Sequence, residues 1–169
     1  MNTRPTAAWM LSSPLHAIAV GFGSGLSPWA PGTVGTLWAW LTYGVLAPRL
    51  GDIGWALLLT ASLLIGWWAC TAAARSLRSG DPGAIVWDEI LAFWLVLWVV
   101  GPLGWRWQLA AFLLFRLFDT VKPGPVGWAD RAFKTLPGQA PGWRAGMGIL
   151  VDDLVAAGLT LLVLALWKF

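Results

Sequence analysis

Long apolar runs alternate along the chain with short segments that are rich in glycine, proline and charge. Residues 5–48 contain no Asp, Glu, Lys or Arg, and Val34 to Ala47 is an apolar stretch within them. Ile53 to Ala74 is the clearest spanning helix, because its 22 residues rise about 33 Å and a hydrocarbon core is about 30 Å thick. Three further apolar runs, at 90–100, 107–115 and 154–167, are shorter than a full span.

The short runs reach membrane length only if their charged ends join the helices. We therefore expect a third helix from about Ala84 to Val100, a fourth from about Arg106 to Asp119, and a fifth that starts near Ile149. The pattern predicts an all-α fold, a small integral membrane helical bundle of about four to five short spanning or re-entrant helices. No repeat or linker divides the chain, so we expect a single membrane-embedded domain over residues 1–169.

Composition supports a membrane protein and excludes several other classes. Of the 169 residues 58% are apolar and 11% are charged, against about 25% charged in a typical soluble domain. Few charges and high hydrophobicity argue against both a disordered chain and a soluble monomer. The net charge of +3 comes from sparse basic residues, which do not form the stripe that nucleic acid requires. We therefore expect membrane lipid, and no nucleic acid, as a partner.

Five acidic residues lie at the predicted helix ends. A short turn joins helices three and four, so these helices should be antiparallel, and the 120–148 loop returns the chain to the same face for helix five. This topology brings one set of carboxylates to one level of the membrane: Asp88, Glu89, Asp119, Asp152 and Asp153.

The basic residues indicate which face carries the acids. Eight lie on the acid side, if the first apolar pair is a hairpin, and three on the other. The first group is Arg4, Arg75, Arg78, Arg116, Lys122, Arg131, Lys134 and Arg144, and the second is Arg49, Arg106 and Lys168. Because cytoplasmic loops carry an excess of Lys and Arg, we expect the acids at the cytoplasmic face.

Five acids at a membrane edge would repel one another, and a hard divalent cation such as Mg²⁺ would remove the repulsion. The alternative is that four of them only cap helix N-termini, which leaves Asp119 unexplained because it would end a helix. Arg116 and Lys122 also allow two interpretations. Arg116 forms only a salt bridge to Asp119, which lies three residues away on the same helix face, or Arg116 and Lys122 together bind a phosphate beside the metal.

The function of the glycine-rich segment 21–33 has two possible interpretations. Its backbone N–H groups, with the hydroxyls of Ser24, Ser27 and Thr33, suit an anion nest, or its glycines allow close helix packing. His16 is the only histidine, and a lone histidine among apolar residues is usually a packing residue. One histidine and one cysteine also exclude lipid phosphatases that need two histidines and phosphatases that need a Cys–Arg pair.

Taken together, these motifs resemble the phosphatidylglycerophosphatase A family of bacterial lipid phosphatases. The stretches that carry the resemblance are His16 with 21–28, 31–36, 85–89, 115–119, Lys122-Pro123, Trp128 with Asp130-Arg131, and 146–149 leading to Asp152-Asp153. They cover most of the chain in the family's order.

The resemblance implies a Mg²⁺-dependent inner-membrane enzyme that removes the phosphomonoester of phosphatidylglycerophosphate. We expect the catalytic and metal-binding residues to be Asp88, Glu89, Asp119, Asp152 and Asp153. The candidate substrate-binding residues are His16, Ser24, Ser27, Thr33, Arg116, Lys122, Asp130 and Arg131. The alternative function is an ion-coupled transporter, since intramembrane acids also mark transport paths.

Overall fold

The structure, a computed structural model, describes residues 4–133 and 140–168. These residues form helices and no strand, so the all-α prediction is confirmed. The helices are α1 (Ala7–Leu11), α2 (Pro14–Ala19), α3 (Pro31–Leu46), α4 (Asp52–Leu77), α5 (Trp87–Val100), α6 (Trp105–Val121), α7 (Gly124–Phe133) and α8 (Trp143–Lys168). Two 3₁₀ segments, Gly21–Leu26 and Gly101–Leu103, connect them.

Two of the described helices, α4 and α8, are long and apolar enough to cross a membrane. Three others, α3, α5 and α6, have 16, 14 and 17 residues and rise about 21 to 26 Å. These lengths agree with the expected bundle of short membrane helices.

The central helix is α5, which packs against α3, α4, α6 and α8. Its side chains are buried along nearly the whole length, and Phe93 lies fully buried between the rings of Phe112 and Phe115. Glycines on the neighbouring helices permit this close approach. A Cβ on Gly66 of α4, for example, would overlap the indole ring of Trp87.

The outward faces of α3 and α6 are apolar and exposed. On α6 the residues Leu109, Leu113, Leu117 and Val121 repeat at four-residue spacing and so form one stripe. Such a surface would be unfavourable in water and suits contact with lipid tails.

Two sets of helix ends lie at opposite faces of the bundle. The end of α4 meets the start of α8, because the Trp67 indole donates to the Trp143 carbonyl at 2.8 Å and Arg75 donates to the Pro141 carbonyl. At the other face, Trp98 of α5 donates to Asp52 at the start of α4.

The N-terminal region differs from the expected hairpin. Helices α1 and α2 have five and six residues, too few to span, and α1 is tied to the end of α4 by a 2.9 Å hydrogen bond from Trp9 to Ser76. Arg4 still lies on the acid side, where it contacts the Pro28 carbonyl. Lys134, which was counted on that side, lies outside the described residues.

Several predicted helix boundaries were wrong. The third helix begins at Trp87 rather than at about Ala84, and the fourth continues past Asp119 to Val121. The last helix begins at Trp143 rather than near Ile149, because the polar and small residues 143–148 join it. The 120–148 loop also contains a helix of its own, α7.

Candidate active site

The first turn of α5 supplies two acids. Asp88 and Glu89 follow Val86, whose backbone N–H donates to the Ala19 carbonyl at 3.0 Å and so joins α5 to the end of α2. A helix N-terminus favours carboxylates through its dipole. The two carboxyl groups nevertheless bring oxygens within 4.8 Å of each other, which pure capping does not require.

The acids of α8 lie deeper in their helix than the sequence predicted. Because α8 begins at Trp143, Asp152 and Asp153 lie more than two turns inside it, and the expectation that they occupy its first turn was wrong. They are 6% and 2% exposed. Helix capping therefore does not account for either of them.

Asp88, Glu89 and Asp153 form one compact group. One carboxylate oxygen from each lies within 4.8 Å of the other two. Among the described residues no hydrogen-bond partner reaches the buried atoms Asp88 Oδ1, Glu89 Oε2 and Asp153 Oδ2. Unpartnered buried carboxylate oxygens are costly, and oxygen-only donors suit a hard divalent cation. These three residues could therefore hold such an ion.

Arg116 and Asp119 of α6 complete this side of the site. Arg116 Nη1 lies 2.6 Å from Asp119 and 3.6 Å from Glu89, and it is 3.4 Å from the Thr36 hydroxyl of α3. Asp119 is also in hydrogen-bonding contact with Asp153. The guanidinium thus lies beside two carboxylates, those of Asp119 and Glu89, and Glu89 belongs to the group with Asp88 and Asp153. The salt bridge between Arg116 and Asp119 therefore forms, but the site keeps an excess of negative charge.

Asp152 faces a second set of partners. Its Oδ2 accepts a hydrogen bond from Lys122, whose ammonium also lies 2.7 Å from Asp130 of α7. Burial alone lowers the pKa of Lys122, but these two hydrogen bonds raise it by more, so the pKa is raised overall and the ammonium stays charged. Lys122 therefore links the end of α6 to α7 and α8.

The sequence matches the model of a known protein family over most of its length. The model for phosphatidylglycerophosphatase A matches residues 17–168, a stretch that includes all five acids. The chain belongs to the phosphatidylglycerophosphatase A family. The resemblance read from the motifs is thereby confirmed.

Individual relatives agree with this assignment. The chain is 38% identical to Phosphatidylglycerophosphatase A of Escherichia coli K12 over 146 residues, which cover 86% of this chain and 78% of that protein. It is also 38% identical to the Haemophilus influenzae protein of the same name, over 92% of this chain and 90% of the relative. A Bacteroides thetaiotaomicron protein, whose name proposes a phosphatidylinositol-3-phosphatase, is 34% identical over 90% of this chain and 92% of its own length. No solved structure matches the chain significantly.

Several of the predicted substrate-binding residues do not contact the acids. His16 stacks on Trp9 at 4.1 Å between ring centroids, and its Nδ1 is 3.1 Å from both Ser12 Oγ and the Trp9 carbonyl, as a packing residue would be. Arg131 is exposed on α7, and Thr33 is half-buried in the first turn of α3.

The glycine-rich segment uses its polar groups internally. The amides of Gly23 and Gly25 both donate to the Val20 carbonyl, and the hydroxyls of Ser24 and Ser27 donate to nearby carbonyls. A Cβ on Gly25 would overlap the Ala84 carbonyl. These contacts favour the close-packing interpretation over an anion nest.

Three neighbours of the site were missed from the sequence. Gly32 lies where a Cβ would overlap Glu89 Oε1, Thr36 contacts Arg116, and Asp81 lies near enough to Asp152 to act on it electrostatically. Gly32 and Thr36 carried a signal, because both belong to the stretch 31–36 shared with the family, whereas Asp81 carried none.

Proposed function

We propose that this protein is a Mg²⁺-dependent lipid phosphatase that hydrolyses the phosphomonoester of phosphatidylglycerophosphate to phosphatidylglycerol and phosphate. The relatives' names support the substrate. The single observation that carries the chemistry is the compact group of Asp88, Glu89 and Asp153 with buried, unpartnered oxygens beside Arg116.

The donor set fits Mg²⁺. All candidate ligands are carboxylate oxygens, and the negative charge exceeds what Arg116 neutralises. Asp88, Glu89 and Asp153 would hold the ion, with Asp119 in contact with Asp153. When bound, Mg²⁺ supplies Lewis-acid polarisation of a phosphoryl oxygen and lowers the pKa of water.

Side chains of the protein bind the phosphate and transfer the protons. Arg116 binds the phosphoryl oxygens, for which its Nε, buried without a hydrogen-bond partner among the described residues, provides a free donor. Asp119 orients Arg116 and accepts the proton of the attacking water. The water oxygen forms the new bond to phosphorus, the bond from phosphorus to the glycerol oxygen breaks, and the leaving glycerol oxygen takes up the proton that Asp119 accepted.

The place of the site suits a lipid substrate. The acids lie at the end of the bundle, where α5 begins and α6 ends, while the apolar stripe of α6 faces outward. A headgroup at the membrane surface reaches the acids while its acyl chains stay in the bilayer. The excess of basic residues on this side, eight against three, supports an active site that faces the cytoplasm from the inner membrane.

Phosphate release in detergent micelles tests the proposal. Purified protein should release phosphate from phosphatidylglycerophosphate with Mg²⁺, lose that activity in excess EDTA, and recover it when Mg²⁺ is restored. Full activity in the presence of chelator would contradict the proposed metal dependence. Phosphatidylinositol 3-phosphate should be a poorer substrate. A preference for it would contradict the proposed substrate and favour the activity named for the Bacteroides relative. If neither lipid releases phosphate, the ion-coupled transporter remains as the alternative function. Ion flux into vesicles that contain the protein would test it.

A further inference from the structure

A cavity of about 290 Å³ lies on the acid side, outside the carboxylate group. We propose that it binds the glycerol phosphodiester portion of the lipid headgroup, with Arg4 contacting the diester phosphate; this inference rests on the proposed function. The N-terminal segment, the end of the glycine-rich segment and the loop after α4 form its walls. Its polar lining consists of Arg4, Ser27, Ser79 and Asp81.

The cavity adjoins the carboxylates on two sides. Pro31 forms part of its wall, and the next residue, Gly32, abuts Glu89 and Arg116. Asp81, which also lines this cavity, shares a second cavity of about 230 Å³ with Asp130 and Asp152. A molecule that fills the cavity can therefore extend one end to the acids.

The lining matches the chemistry of this headgroup. Phosphatidylglycerophosphate carries a terminal phosphomonoester and, across one glycerol, a phosphodiester, so a second anion must be accommodated when the monoester reaches the acids. Arg4 is the only cation in the described lining of this cavity. Among the residues that the structure describes, it makes one long hydrogen bond, 3.4 Å to the Pro28 carbonyl, which leaves most of its five N–H donors for an anion.

The uncharged part of the headgroup also finds partners. The hydroxyls of Ser27 and Ser79 line the same space, and the Asp81 carboxylate can accept a hydrogen bond from the glycerol hydroxyl. A lipid whose phosphomonoester is attached directly to diacylglycerol has no diester to place here. The cavity would therefore distinguish phosphatidylglycerophosphate from phosphatidate.

Calorimetric binding tests this subsite without turnover. The probe is glycerophosphoglycerol, which has the diester and both glycerols but no monoester, and inorganic phosphate serves as the probe of the acid site. Arg4→Gln should weaken glycerophosphoglycerol binding about tenfold, the loss of one charge-assisted hydrogen bond, and leave phosphate binding unchanged. It should also raise KM for phosphatidylglycerophosphate about tenfold at constant kcat. The matched control is Arg78→Gln, an exposed arginine on the same side that does not line the cavity.

The outcomes separate this proposal from the proposed function. If the parent protein does not bind glycerophosphoglycerol, or if Arg4→Gln and Arg78→Gln weaken it equally, the subsite is wrong even when the lipid is hydrolysed. If the parent binds glycerophosphoglycerol through Arg4 but releases no phosphate from the lipid, the proposed function fails and the cavity assignment stands. An equal loss of glycerophosphoglycerol and phosphate binding in Arg4→Gln would also contradict a separate subsite.

Discussion

At the scale of single residues, Asp119 is an acid that the helix dipole does not explain, as is also the case for Asp152 and Asp153. It lies in the last turn of α6, where the helix dipole disfavours a carboxylate, and it contacts another acid, Asp153. Its cationic partner in the described part of the chain is Arg116, at 2.6 Å. An acid kept in such a place is best explained by its part in catalysis.

Replacement of Asp119 by Asn tests that role. Asp119→Asn keeps the size and a hydrogen-bonding oxygen but removes the charge that orients Arg116 and accepts a proton. We expect a loss of at least about 10²-fold in kcat, measured as phosphate release, with normal membrane insertion.

The matched control is Asp52→Asn at the opposite face. Asp52 accepts a hydrogen bond from the Trp98 indole, and the Asn side chain keeps an acceptor oxygen, so activity should stay near that of the parent. An active Asp119→Asn protein together with an inactive Asp52→Asn protein would place the site elsewhere.

The sequence allowed the acids to be predicted better than their partners. Spacing and helix order were enough to bring Asp88, Glu89 and Asp153 to one level. The same reasoning could not distinguish a phosphate-binding Lys122 from one that bridges Asp130 and Asp152, because that contact depends on α7, which the sequence analysis treated as loop. Contacts made by tertiary packing, such as Thr36 with Arg116, leave no periodic signal.

At the scale of the helices, the apolar pattern predicted the cores of the membrane helices and missed their ends. Apolar runs stop where polar side chains begin, whereas a helix continues as long as its backbone hydrogen bonds do. Residues 143–148 show the difference, since Trp143, Arg144 and two glycines are helical in α8. Placing the acids inside α8 rather than at its start removed the capping explanation for Asp152 and Asp153.

The approach of α3 to α5 and α6 is a second property of the helices. A Cβ on Gly32 would overlap Glu89 Oε1 and lie 3.1 Å from both Nη atoms of Arg116. We expect Gly32→Ala to lower activity at least tenfold and to reduce stability by about 1 to 3 kcal/mol, because the added methyl displaces these side chains.

The comparison for Gly32→Ala is Gly44→Ala in the same helix. No atom lies within 4 Å of the position of its Cβ, so we expect unchanged activity and a stability change below about 1 kcal/mol. Thermal unfolding in detergent and phosphate release measure the two effects. Equal behaviour of the two variants would show that α3 does not need its glycine at the site.

At the scale of the whole molecule, orientation in the membrane decides which compartment supplies the substrate. The eight-to-three distribution of basic residues predicts that the acid side faces the cytoplasm. In a Cys70→Ala background, a cysteine at the exposed Ala132 of α7 should resist an impermeant thiol reagent in intact cells and react after lysis.

Gly51→Cys, at the opposite face before α4, reports the reverse orientation. It is exposed and has no atom within 4 Å of its Cβ position, so it should react in cells whose outer membrane is permeable to the reagent. Labelling of Ala132→Cys without lysis, together with protection of Gly51→Cys, would show that the protein has the opposite orientation in the membrane.

The two acids in the N-terminal half of α8 have a consequence for biogenesis. An Asp costs about 2.5 to 3.5 kcal/mol at the centre of a spanning segment and less toward its ends, and α8 carries two. It leaves the ribosome after α6, and so after Arg116 and Lys122 have been synthesised. We therefore expect α8 fused alone to a reporter to insert poorly, and Asp152→Ala with Asp153→Ala to restore insertion in a glycosylation-mapping assay. Because α8 follows α5 and α6 in the chain, its acids would then complete the catalytic centre by entering a bundle in which the other site residues are already in place.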